Sequence, residues 1–239
     1  NIMNEGAILA ARNNRKTIMQ EDLYNAIEKV LLGPERKGRV ITESEKEITA
    51  YHEAGHALVA TSLKDADPVH KVSIISRGRA GGYTLKLPTE EMHLRRRTQF
   101  IAEIAVALGG YAAEKIMFGE MSTGASSDLS QATKIAHALV TQYGMSEKLG
   151  PQTFGDSHEL IFLGREMSSG KNYSEAVAAK IDEEVKLFID RAFALANKVI
   201  TSRKKVLEAI AKTLIEKETL EQEEFNKLIG AFKLKPLGI

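Results

Sequence analysis

The chain has 239 residues, 43% of them hydrophobic and 27% charged, with a formal net charge of +1. That apolar content supports a real core, and so small a net charge gives no electrostatic case for a nucleic-acid partner. The absence of cysteine excludes disulfides and thiolate zinc sites and fits a reducing compartment, and no apolar run approaches the roughly 20 residues that span a bilayer.

In chain order, Asn4 to Asn14 predicts a short helix carrying Ala7, Ile8, Ala10 and Ala11. Thr17 to Leu32 predicts a second, with Glu21 and Asp22 in its first turn and a stripe of Leu23, Ile27, Val30 and Leu31. Gly33-Pro34 stops it, and Glu35 to Arg39 reads as a polar linker. Two helices cannot bury their own apolar faces, so they pack on the rest or belong to a neighbouring domain. The start at Asn1 rather than Met leads us to expect a piece of a longer protein.

A long helical pattern follows, Glu43 to Leu63, with Ile48, Tyr51, Gly55, Leu58 and Val59 at helical spacing. Asp65 to Pro68 is a turn. Val69 to Ser76 and Tyr83 to Leu87 alternate in hydropathy and predict a hairpin-like pair across a turn at Arg77 to Gly82. Arg95-Arg96-Arg97 reads as a solvated helix face. A long helix is expected from about Glu90 to Phe118, with small residues including Ala105, Gly109 and Gly110 permitting close packing. After a loop at Gly119 to Ser127, helices are expected at Asp128 to Tyr143, Ser174 to about Ile200, Arg203 to Glu216 and Glu221 to Phe232. The stretch Gly150 to Asn172 is irregular, with a short strand at Leu160 to Leu163. The fold class is therefore mainly α, with a small β-hairpin.

The chemistry concentrates in His52-Glu53-Ala54-Gly55-His56, which reads H-E-x-x-H. On a helix the two histidines lie one turn apart on the same face, where two neutral imidazoles can share one tetrahedral zinc ion. The chain has only 6 His, so chance placement of two around a Glu is improbable. The plainer alternative is a surface helix that happens to carry two histidines. In metalloproteases with this pattern the Glu does not bind metal but takes a proton from the attacking water. Gly55 fits either simple tolerance or the close approach of another backbone or a substrate.

A catalytic zinc site wants three protein ligands. The metzincin extension would need Gly and His where Val59 and Ser62 stand. Two carboxylates then compete. Asp128 heads a helix, where with Gln131 it also reads as a simple capping box. Glu114 reads as an ordinary helix carboxylate or a partner for a ligand histidine. His70, His93, His137 and His158 sit in no comparable pattern. Spacing alone leaves Asp128 and Glu114 level.

The chain resembles the peptidase region of FtsH, the membrane-anchored AAA zinc metalloprotease family. The resemblance is carried by Gly33-Pro-Glu-Arg-Lys37, Ile48-Thr-Ala-Tyr-His-Glu-Ala-Gly-His-Ala-Leu-Val59, Pro68-Val-His-Lys-Val72, Ser122-Thr-Gly-Ala-Ser-Ser-Asp-Leu129, Tyr143-Gly-Met-Ser146 and Asn172-Tyr-Ser174. It implies that Asp128 is the third ligand of one Zn²⁺ with His52 and His56, and that Glu53 is the general base. It implies three parts: residues 1–32 as the last helices of the AAA small subdomain, 33–45 as a linker and 46–239 as the zinc peptidase domain. It further implies that the strand near Tyr83 is an edge strand along which peptide substrates lie.

There are two departures from the family pattern. Lys115 stands where a second Glu is common, which weakens any role for a carboxylate there. Gly81 stands where Leu is common, which loosens the edge strand. No G-x-x-x-x-G-K-[ST] loop occurs, so ATP and Mg²⁺ are expected only in a longer protein. The resemblance implies a homo-hexameric, ATP-dependent metalloendopeptidase that degrades unfolded cytoplasmic and membrane proteins. It would be anchored by an upstream segment in the bacterial inner membrane, with this domain on the cytoplasmic side and no nucleic acid involved. The rivals are a non-catalytic hexameric assembly module of an AAA unfoldase with structural zinc, and a small-substrate zinc hydrolase. The intact Glu53 argues against the first, and a compact pocket in place of an edge strand would favour the second.

Overall fold

A computed structural model of the chain describes residues 1–34, 41–77, 81–87, 94–155 and 173–238. The linker at Glu35 to Arg39, the strand expected at Leu160 to Leu163, and His93 and His158 lie outside the described residues. The fold is mainly α-helical with one small antiparallel sheet.

The organising helix is α3, Glu43–Ser62. A capping box starts it: Glu45 N–H donates to the Thr42 hydroxyl at 3.2 Å, and Thr42 N–H donates back to the Glu45 carboxylate at 3.2 Å. From Ala50 to Ala60 nearly every side chain is buried, so α3 runs through the core. It packs chiefly against α5 (Gly109–Phe118) and α8 (Lys204–Lys217). The long α7, Glu175–Ser202, lies across α4 (Arg97–Ala107), α5 and α6 (Ser126–Thr141). Ile181, Phe188, Ala192, Ala196 and Val199 form its buried stripe. The last helix, α9, spans Gln222–Gly230.

The single helix expected from Glu90 to Phe118 is two helices within the described residues, broken at Leu108. The two glycines that follow weaken helical continuity and allow the second half to run close to α3. The arginine run precedes α4 more than it lines it. Arg95 pairs with Glu103 at 2.6 Å and Arg97 with Glu147 at 2.6 Å, and Arg96 is exposed.

The expected hairpin is present as β1 (Val69–Ser73) and β2 (Tyr83–Lys86), antiparallel, with Val72 opposite Thr84 and Ser73 opposite Tyr83. It has a third member, β3 (Thr219–Glu221), and the order β2-β1-β3 leaves β2 at the edge. The sequence predicts no strand there. Three residues are too few to show alternation. The reversal that makes the strand is Glu218, a non-glycine residue at φ +62 whose carbonyl accepts from Ile74 N–H at 2.9 Å.

The amino-terminal helices α1 (Ile2–Arg12) and α2 (Gln20–Leu32) pack on one another, and Glu5 pairs with Lys29 at 2.5 Å. They also reach the sheet, because Glu28 of α2 is buried against Lys71 and Tyr83.

Gly55 has the close-approach role. A Cβ built there would fall 2.7 Å from Ala113 Cβ and closer still to the Gly109 carbonyl oxygen. The obstacles are Gly109 backbone and a Cβ fixed to the α5 helix, so nothing can rotate aside. Gly55→Ala should destabilise the chain by about 3 kcal/mol or prevent folding, read as a lower denaturant midpoint. At Gly81 an added Cβ would lie 3.8 Å from Thr49 Oγ1, in ordinary contact. Gly81→Ala should therefore stay within about 0.5 kcal/mol of the parent chain.

Candidate metal centre

His52 and His56 stand one turn apart on the buried face of α3, with ring centroids 4.7 Å apart. Their Nε2 atoms point to one spot, 3.0 Å from each other. Asp128 arrives from α6. Its Oδ2 lies 3.1 Å from His52 Nε2 and 3.5 Å from His56 Nε2. The three ligand atoms lie within 4.8 Å of one another, and among the described residues no other trio of His, Asp or Glu converges in this way.

The other ring nitrogens fix the tautomers. His56 Nδ1–H donates to the Val106 carbonyl at 2.7 Å. Val106 lies in the last turn of α4, where carbonyls lack a full set of helical partners. His52 Nδ1–H donates to Glu114 Oε1 at 2.6 Å. With both Nδ1 protonated, both Nε2 lone pairs face inward, towards each other and a carboxylate. Three acceptors facing one another repel unless a cation sits among them, and two imidazoles plus one carboxylate suit zinc.

The electrostatics carry the same demand for positive charge. Burial works against a charged His52, but hydrogen bonding to Asp128 and Glu114 prevails and holds its pKa at about 10 in the metal-free chain. Burial pushes Asp128 up, yet the two imidazoles hold it well below the usual carboxylate range. Burial also raises Glu114, but His52 and the Ser122 N–H bring it below its ordinary value.

Glu114 ties the two halves of the site together. While Oε1 holds His52, Oε2 accepts from Ser122 N–H at 2.5 Å, within the loop that leads to Asp128. The Ser122 hydroxyl in turn accepts from Gly124 N–H at 3.1 Å and opens a 3-10 turn, Thr123–Ala125, that runs into α6. Asp128 is therefore not the helix cap. It lies inside the first turn of a helix that begins at Ser126, so the capping-box reading with Gln131 does not hold. Of the rival histidines, His70 packs against Tyr24 with the rings tilted by 46°, and His137 contacts Thr141 within α6. Lys115 is exposed and lies 5.5 Å over the Phe193 ring.

Glu53 is buried beside the centre, and burial raises its pKa against the pull of His56 and His52. Thr84 of β2 donates its hydroxyl to Glu53 Oε2 at 2.8 Å. A Cβ on Gly82 would fall 2.9 Å from Glu53 Cγ, so that glycine makes room for the acid. Gly110 does the same for His52, whose ring would lie 2.5 Å from an added Cβ. From the sequence, Thr84, Gly82 and the Val106 carbonyl have no expected part in the site, and Gly110 is expected only as a small packing residue. Only the paired glycines at 109 and 110 carried a signal for close packing.

The peptidase family M41 model matches residues 39–228. The chain belongs to peptidase family M41. Among the curated M41-like relatives, the ATP-dependent zinc metalloprotease FtsH 1 of Thermomicrobium roseum is 51% identical over 236 residues, covering 99% of this chain and 36% of the relative. The ATP-dependent zinc metalloprotease FtsH of Caldicellulosiruptor bescii is 50% identical over 229 residues, covering 96% of this chain and 37% of the relative. The FtsH of Chloroflexus aggregans is 51% identical over 243 residues, covering all of this chain and 37% of the relative. The M41 chain thus spans just over a third of the length of the relatives it matches. Among its described residues, no helix is long and apolar enough to cross a membrane.

Two outcomes follow from this geometry. His52 is raised from 6.5 in the metal-free chain, so its contribution to stability is complete below about pH 6.5 and lost as pH rises through about 10. Denaturant midpoints of the metal-free chain should fall between pH 7 and 10, and saturating zinc should flatten that slope. Glu114→Gln should weaken zinc binding about 10- to 100-fold, measured by competition with a chelator.

Proposed function

We propose that the chain is the proteolytic part of an ATP-dependent zinc metalloendopeptidase. The observation that carries this reading is the convergence of His52 Nε2, His56 Nε2 and Asp128 Oδ2, with both Nδ1 atoms tied down and a buried acid beside them. In this reading His52, His56 and Asp128 hold one zinc ion. Bound there, the metal supplies a Lewis acid for a peptide carbonyl and acidifies water towards a pKa of about 7. Glu114 orients His52 and steadies the loop that brings Asp128.

Glu53 is the general base. Thr84 occupies its Oε2, which leaves Oε1 to receive the proton of the attacking water. In this reading the Glu53 carboxylate accepts that proton and returns it to the leaving amine. Strand β2 is the edge of its sheet, and an extended substrate pairing with it would lie beside Glu53. Main-chain pairing selects for unfolded segments and tolerates varied side chains. That supports unfolded proteins, soluble or extracted from a membrane, as substrates, and an edge strand suits them better than it suits small molecules.

The relatives are named ATP-dependent and are nearly three times as long as the chain. We take residues 1–32 as the end of a preceding ATPase module that uses ATP and Mg²⁺, 33–45 as a linker and 46–239 as the peptidase. We place the whole protein as a homo-hexamer anchored in the bacterial inner membrane by an upstream segment, with this domain on the cytoplasmic side.

Glu53→Gln should keep zinc at the level of the unsubstituted chain and lower casein hydrolysis at least about 100-fold. Undiminished hydrolysis would remove Glu53 from the mechanism. Asp128→Ala should lose zinc by metal analysis, and an unchanged zinc content would return the third position to Glu114.

A further inference from the structure

Glu28 is a buried acid that the chemistry above does not use. It lies on α2, the helix before the one that carries His52 and His56, and is 1% exposed. Its Oε1 is 3.0 Å from Lys71 Nζ on β1. Its Oε2 is 3.1 Å from Arg77 Nη2 and accepts the Tyr83 hydroxyl of β2 at 3.0 Å. Lys71 is shared with Glu221 of β3 at 2.8 Å, and the Arg77 guanidinium lies 5.5 Å over the Tyr83 ring. One carboxylate therefore gathers the hairpin onto α2.

The next residue along β2 is Thr84, which holds Glu53. Successive strand residues point to opposite faces. Tyr83 reaches α2 while Thr84 reaches α3, so β2 is clamped between the two helices by hydrogen bonds from consecutive residues. Burial and the Glu28 charge push the Tyr83 phenol up to about 12, so it keeps its proton and donates.

We propose that Glu28 is a positioning residue for peptide hydrolysis, holding edge strand β2 through Tyr83 so that Thr84 stays on Glu53 and the strand's outer edge is set for an extended substrate. This rests on the proteolytic reading above, in which the substrate pairs with β2. Glu28 touches neither substrate nor metal. Because it belongs to α2, a shift of the amino-terminal helices is passed to the strand that presents the substrate. The junction with the preceding module thereby becomes part of the substrate site.

The test compares Glu28→Ala, Tyr83→Phe and the double variant in the whole zinc-loaded chain. Zinc content and helical circular dichroism are measured on each preparation. With unfolded casein as substrate, the KM of Glu28→Ala should rise about fivefold or more, the scale of losing one buried hydrogen bond that holds the strand. Tyr83→Phe should move KM the same way by less, and the double variant should be no worse than Glu28→Ala. Amide hydrogen exchange at residues 83–86 should quicken in all three. A merely structural role lowers the active fraction and hence the apparent kcat, but leaves KM unmoved. A KM within about twofold of the unsubstituted chain, multiplicative effects of the two substitutions, or unchanged exchange in β2 would each overturn the proposal. If Glu28→Ala does not fold, Tyr83→Phe decides on the same KM and exchange criteria, because it removes one hydroxyl from an intact cluster. If the unsubstituted chain leaves casein intact, the proteolytic reading has failed, and exchange at β2 still decides whether the clamp exists.

Discussion

The crossing of α3 and α5 at Gly55 and Gly109 sets the distance on which the candidate site depends. Two backbones touch there, and the contact fixes how α5 lies along the histidine helix. Gly110 is the next residue, and its missing side chain is the space that the His52 ring fills. Glu114 follows one turn later on the same helix and meets His52 Nδ1 at 2.6 Å. A side chain at Gly55 would push α5 away and with it both the packing surface of His52 and its hydrogen-bond acceptor. Packing and ligand chemistry are thus set by the same few ångströms.

From that crossing the polar contacts run outward. Glu114 passes from His52 to Ser122, Ser122 shapes the turn at Thr123–Ala125, and the turn delivers Asp128 in the first turn of α6. A carboxylate at that place also gains from the positive end of the helix. The result is a set of acceptors that is unfavourable by itself and favourable around a cation. The raised His52 and depressed Asp128 are the response of the metal-free chain, in which a shared proton answers the demand for charge. Such a site costs folding energy only where neither a proton nor a metal sits in it, which for His52 is the pH range above about 10.

The sequence was most informative where chemistry and periodicity coincide. His52, Glu53 and His56 stood out because two scarce histidines flank an acid at helical spacing, and the run of α3 was legible from the same residues. Glu114 was legible as an acid next to small residues, including the role of partner to a ligand histidine, but spacing could not rank it against Asp128. The ranking depends on a loop and a 3-10 turn whose path is set by tertiary contacts. Thr84 was invisible for a similar reason. Nothing in an alternating strand distinguishes the one hydroxyl that faces an acid 31 residues away. Strand β3 is only three residues long and owes its existence to pairing with β1, so local sequence carried no trace of it. The break at Leu108 was hinted at by the paired glycines, yet small residues fit a continuous packed helix equally well.

The hairpin is where these constraints meet. One face of β2 is tied to α2 through Tyr83 and Glu28, and the other to α3 through Thr84 and Glu53, while β1 holds it along one edge. Among the described residues, no strand pairs with its outer edge. A strand gripped on three sides has little freedom to slip register, even with Gly81 and Gly82 at its start. Beyond Gly81, the contacts on the two faces of the strand come from α2 and α3. The Glu53 carboxylate and the strand beside it are then tied by a hydrogen bond. The strand's alignment is set from the α2 side as much as from the metal side, because neither Tyr83 nor Thr84 can shift without carrying the other.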